Sequence, residues 1–168
     1  MDMSATENLT ITTLAEYWKF LTIHTKLETK EAVHWFQKLS VQPSWGFSEP
    51  LSSFSGGNQQ KLLLAKWLRL SPKVMLLEEP TQGVDVSAKA EIHRQLFEAS
   101  RAGSALLISS ADVDELIALC SRVLVMRGGR MVASLTGTDL TVASITRESL
   151  MARRSFIEGT VSIGDRGD

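Results

Sequence analysis

The spacing of apolar residues predicts a helical first part of the chain, followed by alternating strands and helices. Through residues 7–42, apolar side chains recur three or four positions apart, which is typical of amphipathic helices, and Thr29 is placed to cap the second of them. Two short, continuously apolar runs, residues 74–77 and 105–108, predict strands buried on both faces. This order of elements predicts an α/β fold with a separate helical subdomain.

The remaining elements follow from the same spacing and from turn residues. Further helices are predicted at residues 57–70, 86–101 and 142–151, with a short one starting near Asp112. Residues 122–126 and 130–135 predict two strands joined by a hairpin turn at Gly128 and Gly129.

These elements group into three expected parts. Residues 1–70 form the helical subdomain, residues 71–153 form the α/β part, and residues 154–168 are expected to be a disordered tail.

Composition narrows the class of protein. The 168 residues carry a formal net charge of -1, with 43% hydrophobic and 22% charged residues, as in an ordinary globular domain with its own core. There is no basic excess to favour nucleic acid, and no apolar run reaches the ~20 residues of a membrane span. No signal peptide is visible at the start. The single cysteine, Cys120, fits a reducing cytosol and a small buried apolar residue.

The first candidate for chemistry is the turn that precedes residues 62–70. Ser55 is a good helix N-cap, and Gly56 and Gly57 let a ligand approach the backbone closely. Asn58 and Gln59 then open the helix, whose free N–H groups and positive dipole end suit a phosphate. A plain serine-capped helix start explains the same residues, so both interpretations stay open.

The second candidate is an acidic pair at the end of a predicted strand. Glu78 and Glu79 follow the apolar run at residues 74–77, at the carboxyl end where open α/β sheets bind ligands. Glu79 could orient a water or accept its proton, or it could be an ordinary acid at a strand end. Asp85 follows a turn at Gly83, where it could cap the next helix, take part in a binding site, or do both.

Together these motifs resemble the ATP-binding subunits of ABC transporters, most closely those of sugar importers of the ribose, galactose and xylose type or of the autoinducer-2 importer. The resemblance runs from about residue 7 to about residue 147 and implies a P-loop NTPase core. In that family, Ser55 to Gln59 match the signature motif that touches ATP, and Asp85 matches the D-loop aspartate at the interface of paired nucleotide-binding domains. Glu79 matches the catalytic glutamate.

Two positions depart from the family pattern. Glu78 stands where the family has an aspartate near Mg²⁺, and its longer side chain implies altered Mg²⁺ placement. Ser110 stands where many members have the switch histidine; the serine is common in the second halves of sugar importers, and it implies low hydrolytic competence.

The sequence also lacks G-x-x-x-x-G-K-[S/T], the loop that holds the β- and γ-phosphates of ATP. We therefore expect the C-terminal part of a nucleotide-binding domain, without its Walker A part and without tight ATP binding on its own. In the family, the strands at residues 74–77 and 105–108 are expected to flank the missing strand and helix.

The resemblance implies ATP and Mg²⁺ as cofactors. It also implies a second nucleotide-binding domain and transmembrane permease subunits as partners, with a cytoplasmic location on the inner face of the plasma membrane. The alternative function is a non-catalytic interaction module, or a decaying fragment of such a subunit.

Overall fold

The computed structural model describes residues 3–19 and 22–150. The chain divides into two compact units, and the division falls between Ala111 and Asp112. The helices of the first unit are α1 (Ala5–Thr10), α2 (Leu14–Tyr17), α3 (Thr25–Lys38), α4 (Gly56–Leu68) and α5 (Val86–Arg101). Its strands are β1 (Trp18–Lys19), β2 (Thr22–Ile23), β3 (Val74–Glu78) and β4 (Ala105–Ser109). The second unit contains α6 (Val113–Leu119), β5 (Arg122–Arg127), β6 (Arg130–Thr136) and α7 (Val142–Leu150).

The helical start of the chain differs from the prediction in two places. Strands β1 and β2 interrupt the helices as a short antiparallel pair, in which Trp18 lies opposite Ile23. Aromatic and β-branched residues in this segment favour extended backbone, which explains why the helix stops there. The prediction that Thr29 caps a helix is wrong, because α3 begins four residues earlier, at Thr25.

The core of the helical part is built around Phe36. This side chain is fully buried, and its ring packs edge-on against Phe47 and Phe54, at centroid distances of 6.4 and 5.9 Å. Leu9 of α1 and Leu62 of α4 are buried in the same unit. Edge-to-face aromatic contacts add stability beyond the buried area, so the segment between α3 and α4 is held against α3 at Phe36.

Strands β3 and β4 pair directly with each other in parallel register, from Val74 opposite Ala105 to Glu78 opposite Ser109. The expectation that a further strand separates them is therefore wrong. The prediction that both faces of these strands are buried is also wrong for the described residues. Met75 is buried, but Leu76 and Leu107 on the opposite face are 75% and 61% exposed, because no described element covers that face.

The second unit is a hairpin with two helices packed on it. Gly128 and Gly129 both have positive φ (56° and 73°), which a two-residue hairpin turn of this hand requires, and the predicted turn is confirmed. Its core consists of Val123, Val125, Leu135 and Ile145. Cys120 is half-buried against this core, and burial raises the pKa of its thiol, as expected for an apolar rather than a nucleophilic role.

The predicted tail at residues 154–168 lies outside the described residues. Within residues 3–19 and 22–150, no helix combines the length and the apolar character needed to pass through a bilayer.

Candidate functional site

The turn before α4 leaves the first turn of that helix uncapped by side chains. Ser55 occupies the N-cap position with an extended backbone, as predicted, but its side chain makes no capping hydrogen bond. Its Oγ instead accepts a hydrogen bond from Asn58 Nδ2 at 3.1 Å. The hydroxyl hydrogen of Ser55 is therefore still available to an acceptor, and the positive end of the α4 dipole faces outward at the same place.

The two amide side chains after the glycines hold the turn in shape. Asn58 makes two hydrogen bonds to the backbone of Gln42: its Nδ2 donates to the carbonyl oxygen at 2.9 Å, and its Oδ1 accepts from the N–H at 3.2 Å. Gln59 Nε2 donates to the carbonyl oxygen of Phe54 at 2.7 Å. In this structure both side chains thus bond to the protein's own backbone, as supports of the turn.

The loop around Asp85 lies against the glycines of the turn. A Cβ atom at Gly57 would lie 3.3 Å from Ala88 Cβ and 3.7 Å from Asp85 Oδ2, so glycine is what allows this close approach. A Cβ at Gly56 would have no neighbour nearer than the carbonyl oxygen of Gly83, at 3.9 Å. Gly56 therefore faces open space, as a ligand-binding backbone position would.

Asp85 itself caps α5. Its Oδ1 accepts hydrogen bonds from the Ala88 N–H at 2.9 Å and from the Ser87 hydroxyl at 2.7 Å. These two bonds hold the pKa of the Asp85 carboxyl below its ordinary value. Asp85 is exposed, so its second carboxylate oxygen can meet a partner while the cap stays in place.

The two glutamates differ in their surroundings. Glu78 is an exposed carboxylate at the end of β3. Glu79 has a positive φ of 44°, which is rare for a residue with a side chain and typical of functional sites. Its carboxylate accepts hydrogen bonds from the Ala111 N–H at 2.7 Å and from the Ser110 hydroxyl at 3.2 Å.

Two hydrogen bonds at the candidate site, one to Glu79 and one to the residue after it, were not predicted from the sequence. The Ala111 donor is a backbone N–H, which no side-chain pattern can reveal. Gln60 joins the two candidate regions, because its Nε2 donates at 2.9 Å to the carbonyl oxygen of Pro80, directly after Glu79. Its only signal in the sequence is its place next to Asn58 and Gln59.

In the structure Ser110 is hydrogen-bonded to Glu79, and Asp85 lies next to Gly57. Ser55 bonds to Asn58 rather than to either glutamate. Within the described residues there is no cluster of three or more His, Cys, Asp or Glu side chains that could hold a metal ion, so Glu78 is a single exposed carboxylate ligand at most.

The strands and helices have the fold of part of an ATP-binding cassette. The solved cassette of the ABC transporter protein MJ1267 matches the chain with a TM-score of 0.69 at 20% identity, covering 89% of this chain and 64% of that chain. The cassette MJ0796, solved as a dimer in a post-hydrolysis state with ADP and Pi, matches with a TM-score of 0.67 at 18% identity, covering 80% and 56%.

Sequence comparison shows which ATP-binding proteins the chain is similar to. The ribose import ATP-binding protein RbsA 2 of Rhizobium meliloti (strain 1021) is 42% identical over 147 residues, which are 88% of this chain and 28% of that protein. No family model matches the chain. The chain belongs to the ABC-transporter ATP-binding proteins, is similar to their ribose-import members, and spans a little over a quarter of the length of these relatives.

Proposed function

We propose that the chain is part of an ATP-binding subunit of an ABC importer for a sugar or sugar-like solute. In this role the turn at residues 55–59 completes an ATP site on a second nucleotide-binding domain. The observation that carries the proposal is the uncapped first turn of α4, with Ser55 and Gly56 open to a ligand and Asp85 beside them. The ribose-import relatives support the choice of transport class.

The chemistry of the turn suits a terminal phosphate. The Ser55 hydroxyl can donate to a phosphate oxygen while Asn58 holds its Oγ, and the N–H groups of Gly56 and Gly57 point the same way as the helix dipole. The chain lacks the loop that cradles the β- and γ-phosphates, so the bulk of the ATP would be held by the partner domain.

The two glutamates could supply the other groups that ATP hydrolysis needs, one for the attacking water and one for Mg²⁺. Glu79 would orient the attacking water or accept its proton, and the donors at Ser110 and Ala111 would fix the direction of its carboxylate. Glu78 would be the ligand of Mg²⁺, which uses one or two protein carboxylates beside the phosphate oxygens. When bound, Mg²⁺ supplies neutralisation of the phosphate charge. We therefore propose ATP and Mg²⁺ as cofactors of a site that the chain shares with the second nucleotide-binding domain.

The partners follow from the same proposal. Permease subunits would hold the ATP-binding subunit at the inner face of the plasma membrane, on its cytoplasmic side. A second nucleotide-binding domain would contribute the phosphate loop, in the way that the cassette MJ0796 forms a dimer.

The proposal is tested by equilibrium binding of Mg-ATP to the purified chain, first alone and then with a nucleotide-binding domain that carries the phosphate loop. We expect no measurable binding to the chain alone, and in the mixture tighter binding than to the added domain alone. No gain in the mixture, with both proteins folded, would favour the non-catalytic module instead. The glutamate at position 78 and the missing phosphate loop are the observations behind that second candidate.

A substitution at Glu78 tests its proposed contact with Mg²⁺. In a transporter reconstituted with its partner subunits, Glu78→Asp is expected to raise ATP turnover several-fold, because the shorter carboxylate places Mg²⁺ closer to ideal octahedral geometry. Steady-state phosphate release at saturating Mg-ATP measures this. Unchanged or lower turnover would contradict the proposed role of Glu78.

A further inference from the structure

A cavity lies in the first unit, at the carboxyl-terminal ends of α3, α4 and α5. Its volume is about 380 Å³, within the ~300–1,000 Å³ of most small-molecule sites. The residues that line it include Trp35, Lys38, Leu68, Lys73, Gln95 and Ala99. Ser55 lies at the other end of α4, whose 13 residues span about 20 Å, so the cavity is distinct from the candidate ATP site.

The cavity wall contains a buried carboxamide, that of Gln95, whose side chain is 1% exposed. Its Nε2 donates to the carbonyl oxygen of Lys38 at 3.3 Å and to Glu91 Oε1 at 3.1 Å. Because both neighbours are acceptors, the carboxamide must turn its nitrogen toward them. Its Oε1 accepts no hydrogen bond from any described residue, and a buried acceptor without a donor is costly. This oxygen is therefore available to a hydroxyl group in the cavity.

The charged side chains of the cavity leave one positive charge without a partner. Lys38 and Lys73 line it together with the carboxylate of Glu98. Glu98 is already paired, with Lys38 at 3.7 Å and with Arg94. Lys73 is exposed and forms no ion pair with a described residue. Its ammonium group is therefore available to an anion, and lysine is a common ligand of phosphate.

We propose that this cavity binds a sugar phosphate. A sugar hydroxyl would donate to Gln95 Oε1, and the phosphate would pair with Lys73. The carbon-bound hydrogens of the sugar would contact the apolar part of the wall, which Trp35, Leu68 and Ala99 supply. The need for a hydroxyl and a phosphate follows from the cavity itself. Only the choice of a sugar to carry them rests on the proposed function.

The test is isothermal titration calorimetry of the full chain with ribose-5-phosphate, without ATP or a partner domain. We expect saturable binding, and binding of ribose or inorganic phosphate about tenfold weaker or less, because each makes only part of these contacts. Lys73→Ala should weaken binding of ribose-5-phosphate about tenfold. Lys30→Ala, at an exposed lysine of α3 outside the cavity, is the matched control and should leave binding unchanged. Ala99→Leu should abolish binding by filling the cavity, and leucine is nearly as good a helix former as alanine.

A second measurement does not depend on how well the variants fold. In the unsubstituted chain, hydrogen exchange should slow at the amides of Lys73 and of residues 102–104 when ribose-5-phosphate is added, and the amides of α7 should not change. The inference is overturned if the folded chain shows no saturable binding, if inorganic phosphate binds equally well, or if Ala99→Leu still binds. Ser55→Ala should bind ribose-5-phosphate as the parent does, so failure of the proposed ATP role would leave these results unchanged.

Discussion

Ser55→Ala is expected to lower the ATP turnover of the reconstituted transporter about tenfold or more. The alanine removes the hydroxyl that would donate to the terminal phosphate, and a hydrogen bond to a charged group contributes about 1.5–3 kcal/mol. Folding should be little affected, because the Ser55 side chain does not cap α4. The measurement is steady-state phosphate release across a range of Mg-ATP concentrations.

Two further variants make this result specific. Ser53→Ala removes a hydroxyl that bonds only to the Pro50 carbonyl oxygen, two residues from Ser55, and should leave turnover near that of the parent. Gly56→Ala adds a methyl group with no protein neighbour nearer than 3.9 Å, so it should fold normally yet lower turnover by obstructing the approach of the phosphate. Equal turnover in all three variants and the parent would exclude the turn from the reaction.

Phe36→Ala is expected to lower the free energy of unfolding by about 3–5 kcal/mol, the usual cost of emptying a buried aromatic site. Phe36 is 1% exposed and touches the rings of Phe47 and Phe54, so the cavity would open between α3 and the segment that precedes α4. Urea unfolding followed by tryptophan fluorescence measures the change.

The matched control is Phe97→Ala on α5, where the side chain is half-exposed and the expected loss is about 0.5 kcal/mol. If the two variants lost equal stability, Phe36 would not be the centre of this core. If the loss exceeds the stability of the parent, the Phe36 variant will be unfolded at 25 °C and will show this as a loss of helical ellipticity.

The α/β fold class could be predicted from the sequence because its strands and turns carry strong local signals. Residues 74–77 and 105–108 are strands in the structure, and the Gly128–Gly129 turn needs a backbone that glycine provides. The short β1–β2 pair was missed, because two residues per strand give too little periodicity to compete with the helical spacing around them.

A continuous apolar run could not predict that one face of the β3–β4 sheet is exposed and the other buried. Such a run indicates burial on both sides only when the rest of the sheet and its helices are present. The direct pairing of the two strands likewise depends on which elements surround them, and nothing local to either strand encodes it.

The residues of the candidate site could be chosen by motif, but their contacts could not. The hydrogen bonds from Ser110 and Ala111 to Glu79 require the parallel register of the two strands and the positive φ of Glu79. The roles assigned to these residues remain predictions. The serine cap was expected from residue type alone, and Asn58 instead takes the Ser55 oxygen as its own partner.

The paired hydrogen bonds between Asn58 and Gln42 have a mechanical consequence. They fasten the start of α4 to the chain segment that leaves α3, so that the turn and the helical part share a fixed attachment point. A displacement of the segment after α3 would therefore act on the turn at Ser55 through Asn58. Asn58→Ala would remove this link to Gln42 and, with it, the hydrogen bond to Ser55.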